Sequence, residues 1–141
     1  MWLSAVADRK MTQLDDKIAQ YREELKRRPP GDTGRGKALY DLAFSLQDRF
    51  SETDAIEDIK EAIELHRTAL ALRPEGHPDR HESLYWLAWC LGKRYRKQGT
   101  LPDLEEAITL GKAALDLHPE GTYTAPLTPL INNGTVPLSL H

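Results

Sequence analysis

The chain has 141 residues, of which 40% are hydrophobic and 29% charged, and its formal net charge is -3. This length and composition predict one soluble globular domain. The slightly acidic balance gives no sign of the clustered basic surface that nucleic-acid binding requires, so we expect no nucleic-acid partner. The single cysteine excludes an intramolecular disulfide framework and a multi-cysteine zinc site.

No stretch of the sequence approaches the roughly 20 apolar residues that a membrane-spanning helix needs. The apolar start, residues 1–7, is too short for a signal peptide and is followed at once by Asp8, Arg9 and Lys10. Since the sparse use of cysteine also favours a reducing compartment, we expect a cytoplasmic protein that makes no membrane contact.

The first predicted helix covers residues 12–28. Its apolar side chains recur at the spacing of one helix face, and they are Leu14, Ile18, Tyr21 and Leu25. Asp15 and Asp16 near its start and the basic run 26–28 at its end suit the helix dipole. Residues 29–31, with the sequence Pro-Pro-Gly, end it.

The next two helices form a predicted pair. Residues 36–50 form its first helix, residues 51–55 form a polar connector, and the second helix continues to Arg73 because Pro74 ends it. Asp54 followed by Glu57 has the form of a capping box that starts the second helix. Asp79 followed by Glu82 repeats this pattern, which predicts a further helix start near residue 80.

That further start opens a second copy of the pair. Adding 45 to each number in the segment 39–76 places it on 84–121, and 17 of the 38 paired positions are identical. The same offset places residues 12–31 on the second helix of each copy. Repeats of this length are typical of solenoid proteins. The chain therefore holds a partial repeat, 12–31, and two full repeats, 36–76 and 81–121.

The segment 122–141 departs from the repeat. It contains three prolines and no Asp, Glu, Lys or Arg, and it shows no helical period. Two interpretations stay open: an irregular apolar tail that covers the last helix, or a foreign sequence that arises from truncation or mis-splicing.

The order of residues within each repeat resembles the tetratricopeptide repeat, with Leu84, Leu87, Ala88 and Leu91 followed by Ala107, Ala114, Leu115 and Pro119. The period of 45 exceeds the family's usual 34, and the segments 77–80 and 103–108 look like the kinesin-light-chain-like repeats of fungal multidomain proteins. The resemblance implies an all-α fold, in which antiparallel helix pairs form a solenoid, a right-handed superhelix. We thus expect about five helices in one repeat domain over residues 1–121, plus the irregular tail.

In proteins of this family the partner usually lies in a concave groove lined by the first helix of each pair. The positions that the resemblance assigns to this groove are Lys37, Tyr40, Phe44, Gln47 and Asp48 in one repeat, and Glu82, Tyr85, Trp89, Gly92 and Lys93 in the other. The alternative is that these aromatic side chains complete the core. Aromatic residues also occupy the places where some relatives clamp a C-terminal carboxylate, which disfavours binding of chaperone tails.

Three further patterns resemble ligand-binding or catalytic motifs, but none of them supports such a site. Residues 31–37 fit a phosphate-loop motif, but Ala38 stands where a hydroxyl is needed and a helix precedes the loop instead of a strand. His77 and His81 lack a partner acid for a metal site. Cys90 lies in a leucine-rich helix and is interpreted as a small core residue. We expect no enzyme activity, no cofactor and no metal.

The predicted function is therefore a protein-interaction scaffold that binds a peptide or protein through its repeats. One alternative is a regulatory repeat fragment of a larger NTPase or CHAT-type protease, whose catalytic domain lies outside this chain. Another is self-association, because a short array without a polar capping helix exposes apolar surface at its ends.

Overall fold

The computed structural model describes residues 2–117, and over this range the protein is all-α. Five helices follow one another: α1 Trp2–Lys26, α2 Arg35–Thr53, α3 Ile56–Ala71, α4 Arg80–Gln98 and α5 Leu101–Leu117. Between residues 2 and 117 there is no β-strand. The prediction of an all-α chain with about five helices is confirmed. The predicted irregular tail, 122–141, lies outside the described residues.

The helices fall into two compact units, Met1–Leu72 and Arg73–His141. In the first unit α2 packs against both α1 and α3, and in the second α4 packs against α5. Only residues 54–55 separate α2 from α3, and only residues 99–100 separate α4 from α5. A connection of this length makes the second helix of each pair run back antiparallel along the first. That residues 1–121 form one repeat domain stays a prediction.

The 45-residue offset also holds for the secondary structure. The first helices of the two pairs begin at Arg35 and Arg80, and the second helices begin at Ile56 and Leu101. The end of α1 lies 45 residues before the end of α3. The repeat in the sequence therefore corresponds to a repeat of helices.

The prediction that α1 begins at residue 12 is wrong, because the helix already begins at Trp2. By the repeat offset, Arg9 occupies the position of Asp54 and Gly99, which end α2 and α4 in the left-handed conformation with φ of 62° and 71°. An arginine rarely adopts this conformation, since its Cβ crowds the neighbouring carbonyl oxygen. The chain therefore has no turn at Arg9, and the helix continues through it.

The capping box predicted for Asp54 and Glu57 is also wrong. Asp54 ends α2, and its N–H donates to the carbonyl oxygen of Phe50 at 2.7 Å. The N-cap of α3 is Ala55, whose side chain makes no capping bond. Asp79 does precede α4, so the predicted start near residue 80 is confirmed, but no side-chain hydrogen bond caps that helix either.

An arginine–aspartate pair joins the two helices of each pair near this turn. Arg49 of α2 donates to both carboxylate oxygens of Asp58 at 2.9 and 2.8 Å, and Arg94 of α4 does the same to Asp103 at 2.8 and 3.0 Å. Both aspartates are buried, and each lies in the first turn of its helix, where negative charge is favoured. Two parallel charge-assisted bonds also fix the orientation of the partners.

The core of each unit contains the small residues that the repeat predicts at close helix contacts. Ala43 and Ala62 are fully buried in the first unit, and Ala88 and Ala107 are fully or almost fully buried in the second. Larger side chains at such positions typically cost about 1–3 kcal/mol through overpacking. These alanines allow the close packing of each helix pair.

Among the residues described here, no helix combines the length and the apolar character that crossing a lipid bilayer would require.

Candidate functional site

The candidate residues of α2 differ in exposure. Lys37 and Asp48 are exposed, and the ammonium group of Lys37 pairs with Asp41 at 2.9 Å. Tyr40 and Phe44, one turn apart, are half-buried, and the centroids of their rings lie 4.9 Å apart. This part of α2 therefore presents two partly exposed aromatic rings with a charged side chain beyond each end.

Gln47 belongs to the packing between α2 and α3. It is 3% exposed, and its Oε1 lies 2.5 Å from Nε2 of the fully buried His66. The ring of His66 also meets those of Tyr40 and Phe44 edge-on, at centroid distances of 5.8 and 6.4 Å. Gln47 therefore holds α2 against α3 and offers almost no surface to a partner, although the resemblance places it in the groove.

On α4 the aromatic residues form a cluster. Tyr85 is 1% exposed, so it contributes to packing, as the alternative interpretation of the aromatic positions holds. Its ring meets that of Trp86 edge-on at 4.7 Å, and Trp86 meets Trp89 at 5.8 Å. The ammonium group of Lys93 lies 4.9 Å from the centroid of the Trp89 ring, which is cation–π geometry. Both tryptophans are half-buried.

Trp86 is the residue that the assignment by resemblance missed. It precedes Trp89 by three positions, which places both on one face of α4. That spacing is the feature of the sequence by which Trp86 could have been found. Of the other two candidates on this helix, Gly92 is buried, and Glu82 is half-buried with its Oε1 3.9 Å from Nη1 of Arg73.

The partly exposed side chains define one aromatic face on each first helix. The α2 face comprises Tyr40 and Phe44 with Lys37 and Asp48 at its ends. The α4 face comprises Trp86 and Trp89 with Lys93 at its end. The charge that follows the aromatic pair is negative on α2 and positive on α4, because the repeat offset pairs Asp48 with Lys93.

The phosphate-loop-like segment, residues 31–37, covers the end of the connector between α1 and α2 and the first residues of α2. Oδ1 of Asp32 accepts a hydrogen bond from the Gly34 N–H at 2.7 Å. That bond, followed by the nearby Arg28 guanidinium, holds the pKa of Asp32 below its ordinary value. Lys37 already lies within α2, where it pairs with Asp41. The connector thus uses its own carboxylate where a phosphate loop would present free amides.

Within residues 2–117 no group of three or more His, Cys, Asp or Glu side chains is arranged to hold a metal ion. Cys90 is fully buried, and desolvation raises the pKa of its thiol well above the ordinary value. A buried thiol of this kind is a weak nucleophile.

A scan against protein-family models finds no match to this chain, and neither a search of curated proteins nor a search of solved structures returns a similar protein.

Proposed function

We propose that this protein is an interaction module that binds peptide segments of a partner through the aromatic faces of α2 and α4. The observation that carries the proposal is the recurrence of a partly exposed aromatic side chain at equivalent positions of both helices, Phe44 and Trp89. Each lies one turn beyond a tyrosine and one turn before a charged residue. The resemblance to the tetratricopeptide repeat supports the same interpretation.

The chemistry of the two faces suits a peptide partner. Tryptophan and tyrosine are enriched at binding hot spots, because they bury a large area with few rotatable bonds. On the α4 face the edge-to-face contact between Trp86 and Trp89 holds the two rings in a defined arrangement before a partner arrives. A preorganised surface loses less conformational entropy on binding.

The opposite charges beyond the two aromatic pairs give the two faces different selectivity. Asp48 at the end of the α2 face favours a cationic residue in the partner, and Lys93 at the end of the α4 face favours an anionic one. Peptides bound by the α2 face should therefore carry a cationic residue, and peptides bound by the α4 face an anionic one.

The proposal is tested by selecting peptides from a random library displayed on phage, with the full chain as bait. We expect enriched peptides whose affinity falls at least about tenfold on Phe44→Ala or Trp89→Ala, the scale of a hot-spot residue. Leu101→Ala is a control, because Leu101 is 54% exposed and belongs to neither face. Selected peptides that bind all three variants as tightly as the wild type would refute the proposal, as would a selection that enriches nothing.

A further inference from the structure

The first unit also contains an open cavity of about 530 Å³, lined by residues of α1, α2, α3 and the connector after α1. Leu25, Leu42 and Leu65 line it, one from each helix, and Leu42 is 1% exposed. Pro29 and Pro30, just after α1, complete the apolar wall. The volume falls within the range of about 300–1,000 Å³ that is typical of small-molecule sites. A wall of leucine and proline side chains suits a flexible alkyl chain.

The charged residues of this cavity are three cations and one carboxylate: Arg22, Lys26, Arg35 and Glu61. Arg22 and Glu61 form a bidentate pair that joins α1 to α3, with one of its two bonds at 3.0 Å. Each of these two charges is thereby largely neutralised by the other. The excess positive charge therefore comes from Lys26 and Arg35.

Neither Arg35 nor Lys26 uses all of its hydrogen-bonding capacity on other groups of the protein. The guanidinium group of Arg35 donates from Nη1 to the Arg28 carbonyl oxygen at 2.5 Å, which leaves its other N–H groups for further bonds. Lys26 pairs with Glu23 at 3.1 Å, but its side chain is 73% exposed, and an exposed pair of this kind contributes little. Both can therefore turn toward an anion at the mouth of the cavity.

Comparison with the residues 45 positions later shows where this excess charge arises. Of the nine lining residues, seven have an identical residue at the repeat-equivalent position. The two that differ are Lys26, which corresponds to Ala71, and Pro30, which corresponds to Glu75. Each difference makes the set around the cavity more positive by one unit, so the sum is +2 here and zero in the equivalent set. The departure from the repeat thus concentrates positive charge beside an apolar cavity in a chain whose net charge is -3.

We propose that the cavity binds a medium-chain fatty carboxylate, with the alkyl chain against Leu25, Leu42 and Leu65 and the carboxylate between Lys26 and Arg35. Charge complementarity selects an anionic head group, and the aliphatic wall selects the chain. This site involves none of the residues of the two aromatic faces. Its test is therefore independent of the peptide-binding proposal.

Isothermal titration calorimetry of the full chain with decanoate tests the site, with acetate and decyltrimethylammonium as comparison ligands. We expect saturable binding of one decanoate. We expect no saturable binding of acetate, which lacks the chain, and weaker binding of the cationic amphiphile. Methyl resonances of Leu25, Leu42 and Leu65 should shift with the same saturation curve, which places the ligand.

The decisive variant is Lys26→Ala/Pro30→Glu, which installs the residues that the chain carries at Ala71 and Glu75 and is thus compatible with the fold. It should weaken decanoate binding by about tenfold, the combined effect of two partly exposed charges. Arg9→Glu changes the net charge by the same two units at an exposed position of α1 that does not line the cavity. Because Arg9 lies roughly 25 Å from Lys26 along the same helix, this variant should leave the affinity within about twofold.

Three results would overturn the proposal: decanoate that gives no saturable binding, Arg9→Glu that weakens binding as much as the double variant, or a cationic amphiphile that binds as tightly as decanoate. Equal thermal unfolding midpoints of the two variants and the wild type ensure that a loss of binding reports on the cavity. A negative result with decanoate would not affect the phage selection, because that experiment tests Phe44 and Trp89.

Discussion

In each of the two connectors that lead into the first helix of a repeat, one side chain accepts a hydrogen bond from the backbone. In one connector Oδ1 of Asp32 accepts the Gly34 N–H at 2.7 Å, and in the other Nδ1 of His77 accepts the Asp79 N–H at 3.0 Å. The positions are equivalent by the repeat offset, although an aspartate and a histidine share little similarity. The shared requirement is a side-chain acceptor that can reach the N–H two residues later, because an amide of a tight turn needs a hydrogen-bond partner.

The carboxylate of Asp32 should titrate below its ordinary value of 3.8, because the Gly34 N–H and then Arg28 stabilise the charged form. The folded chain then binds this proton less readily than the unfolded chain does. The contribution of Asp32 to stability is therefore fully present above pH 3.8 and is lost as the pH falls through the lower, folded-state value. NMR titration of the Asp32 side-chain carbon measures that midpoint.

Arg28→Ala should raise the Asp32 midpoint part of the way toward 3.8, because the larger cause, the Gly34 amide, remains. Lys112→Ala, which removes an exposed cation from α5, should leave it unchanged. A wild-type midpoint at or above 3.8 would show that the connector bond does not persist in solution.

The Cys90 thiol should be inert in the folded protein and reactive only when the second unit opens. It is fully buried and its pKa is raised by desolvation, so both access and thiolate formation are suppressed. We expect an aromatic disulfide reagent to label it at a rate that rises with denaturant in parallel with the fraction unfolded. Rapid labelling in native buffer at neutral pH would contradict the packing of α4.

At the scale of the helices, a small number of residues decides where each helix ends. Asp54 and Gly99 adopt the left-handed conformation that ends α2 and α4, and Arg9 at the equivalent position lets α1 continue. Glycine permits this conformation freely and aspartate tolerates it, while arginine does not. The helix count was predictable from apolar periodicity. The length of α1 was not, because no apolar pattern marked the segment before residue 12.

The sharpest prediction at the scale of the helices concerns the arginine–aspartate pair of each helix hairpin. Arg94→Ala leaves the buried carboxylate of Asp103 without its bidentate partner. Because Arg94 itself is only partly buried, we expect a loss of about 2–3 kcal/mol in unfolding free energy, at or below the lower end for a fully buried pair. Chemical denaturation followed by far-UV circular dichroism measures this loss.

The control is Arg96→Ala, which removes an exposed arginine of the same helix that makes no ion pair among the described residues. It should change the unfolding free energy by less than about 0.5 kcal/mol. Equal effects of the two substitutions would mean that net charge on α4, and not the pair with Asp103, determines the stability.

At the scale of the whole chain, the 45-residue block is the unit of construction. Each block contributes a first helix, a two-residue turn with one left-handed residue, and a second helix fastened by an arginine–aspartate pair. Within the first unit α2 also packs against α1, the second helix of the preceding partial repeat. Arrays of this kind gain stability from the repeats and from contacts between neighbouring repeats.

A chain in which residues 35–79 are duplicated directly after Asp79 should therefore fold, because the insertion ends where α4 begins. We expect a far-UV circular dichroism signal that grows by two helices and a denaturation midpoint above that of the wild type. A glycine–serine insertion of the same length is the control and should add neither. A duplication variant with a lower denaturation midpoint than this control would refute the 45-residue unit.

The candidate site was less predictable from the sequence than the fold. The resemblance to the tetratricopeptide repeat implied that Tyr40, Phe44 and Trp89 line a groove, and all three are partly exposed. It implied the same of Gln47 and Tyr85, which are buried. Whether a side chain at the border of a helix face is covered depends on the neighbouring helix. For Gln47 that neighbour is α3 with His66, which no local pattern specifies.

The sequence by itself determined the helical class, the 45-residue repeat and the identity of the helix pairs, because apolar periodicity and repeated residues are local properties of the chain. The tertiary structure alone decided which aspartates pair with arginine, and where Lys26 and Arg35 stand beside an apolar cavity. Those outcomes depend on distances between side chains of different helices and connectors. Such distances exist only once the helices have packed.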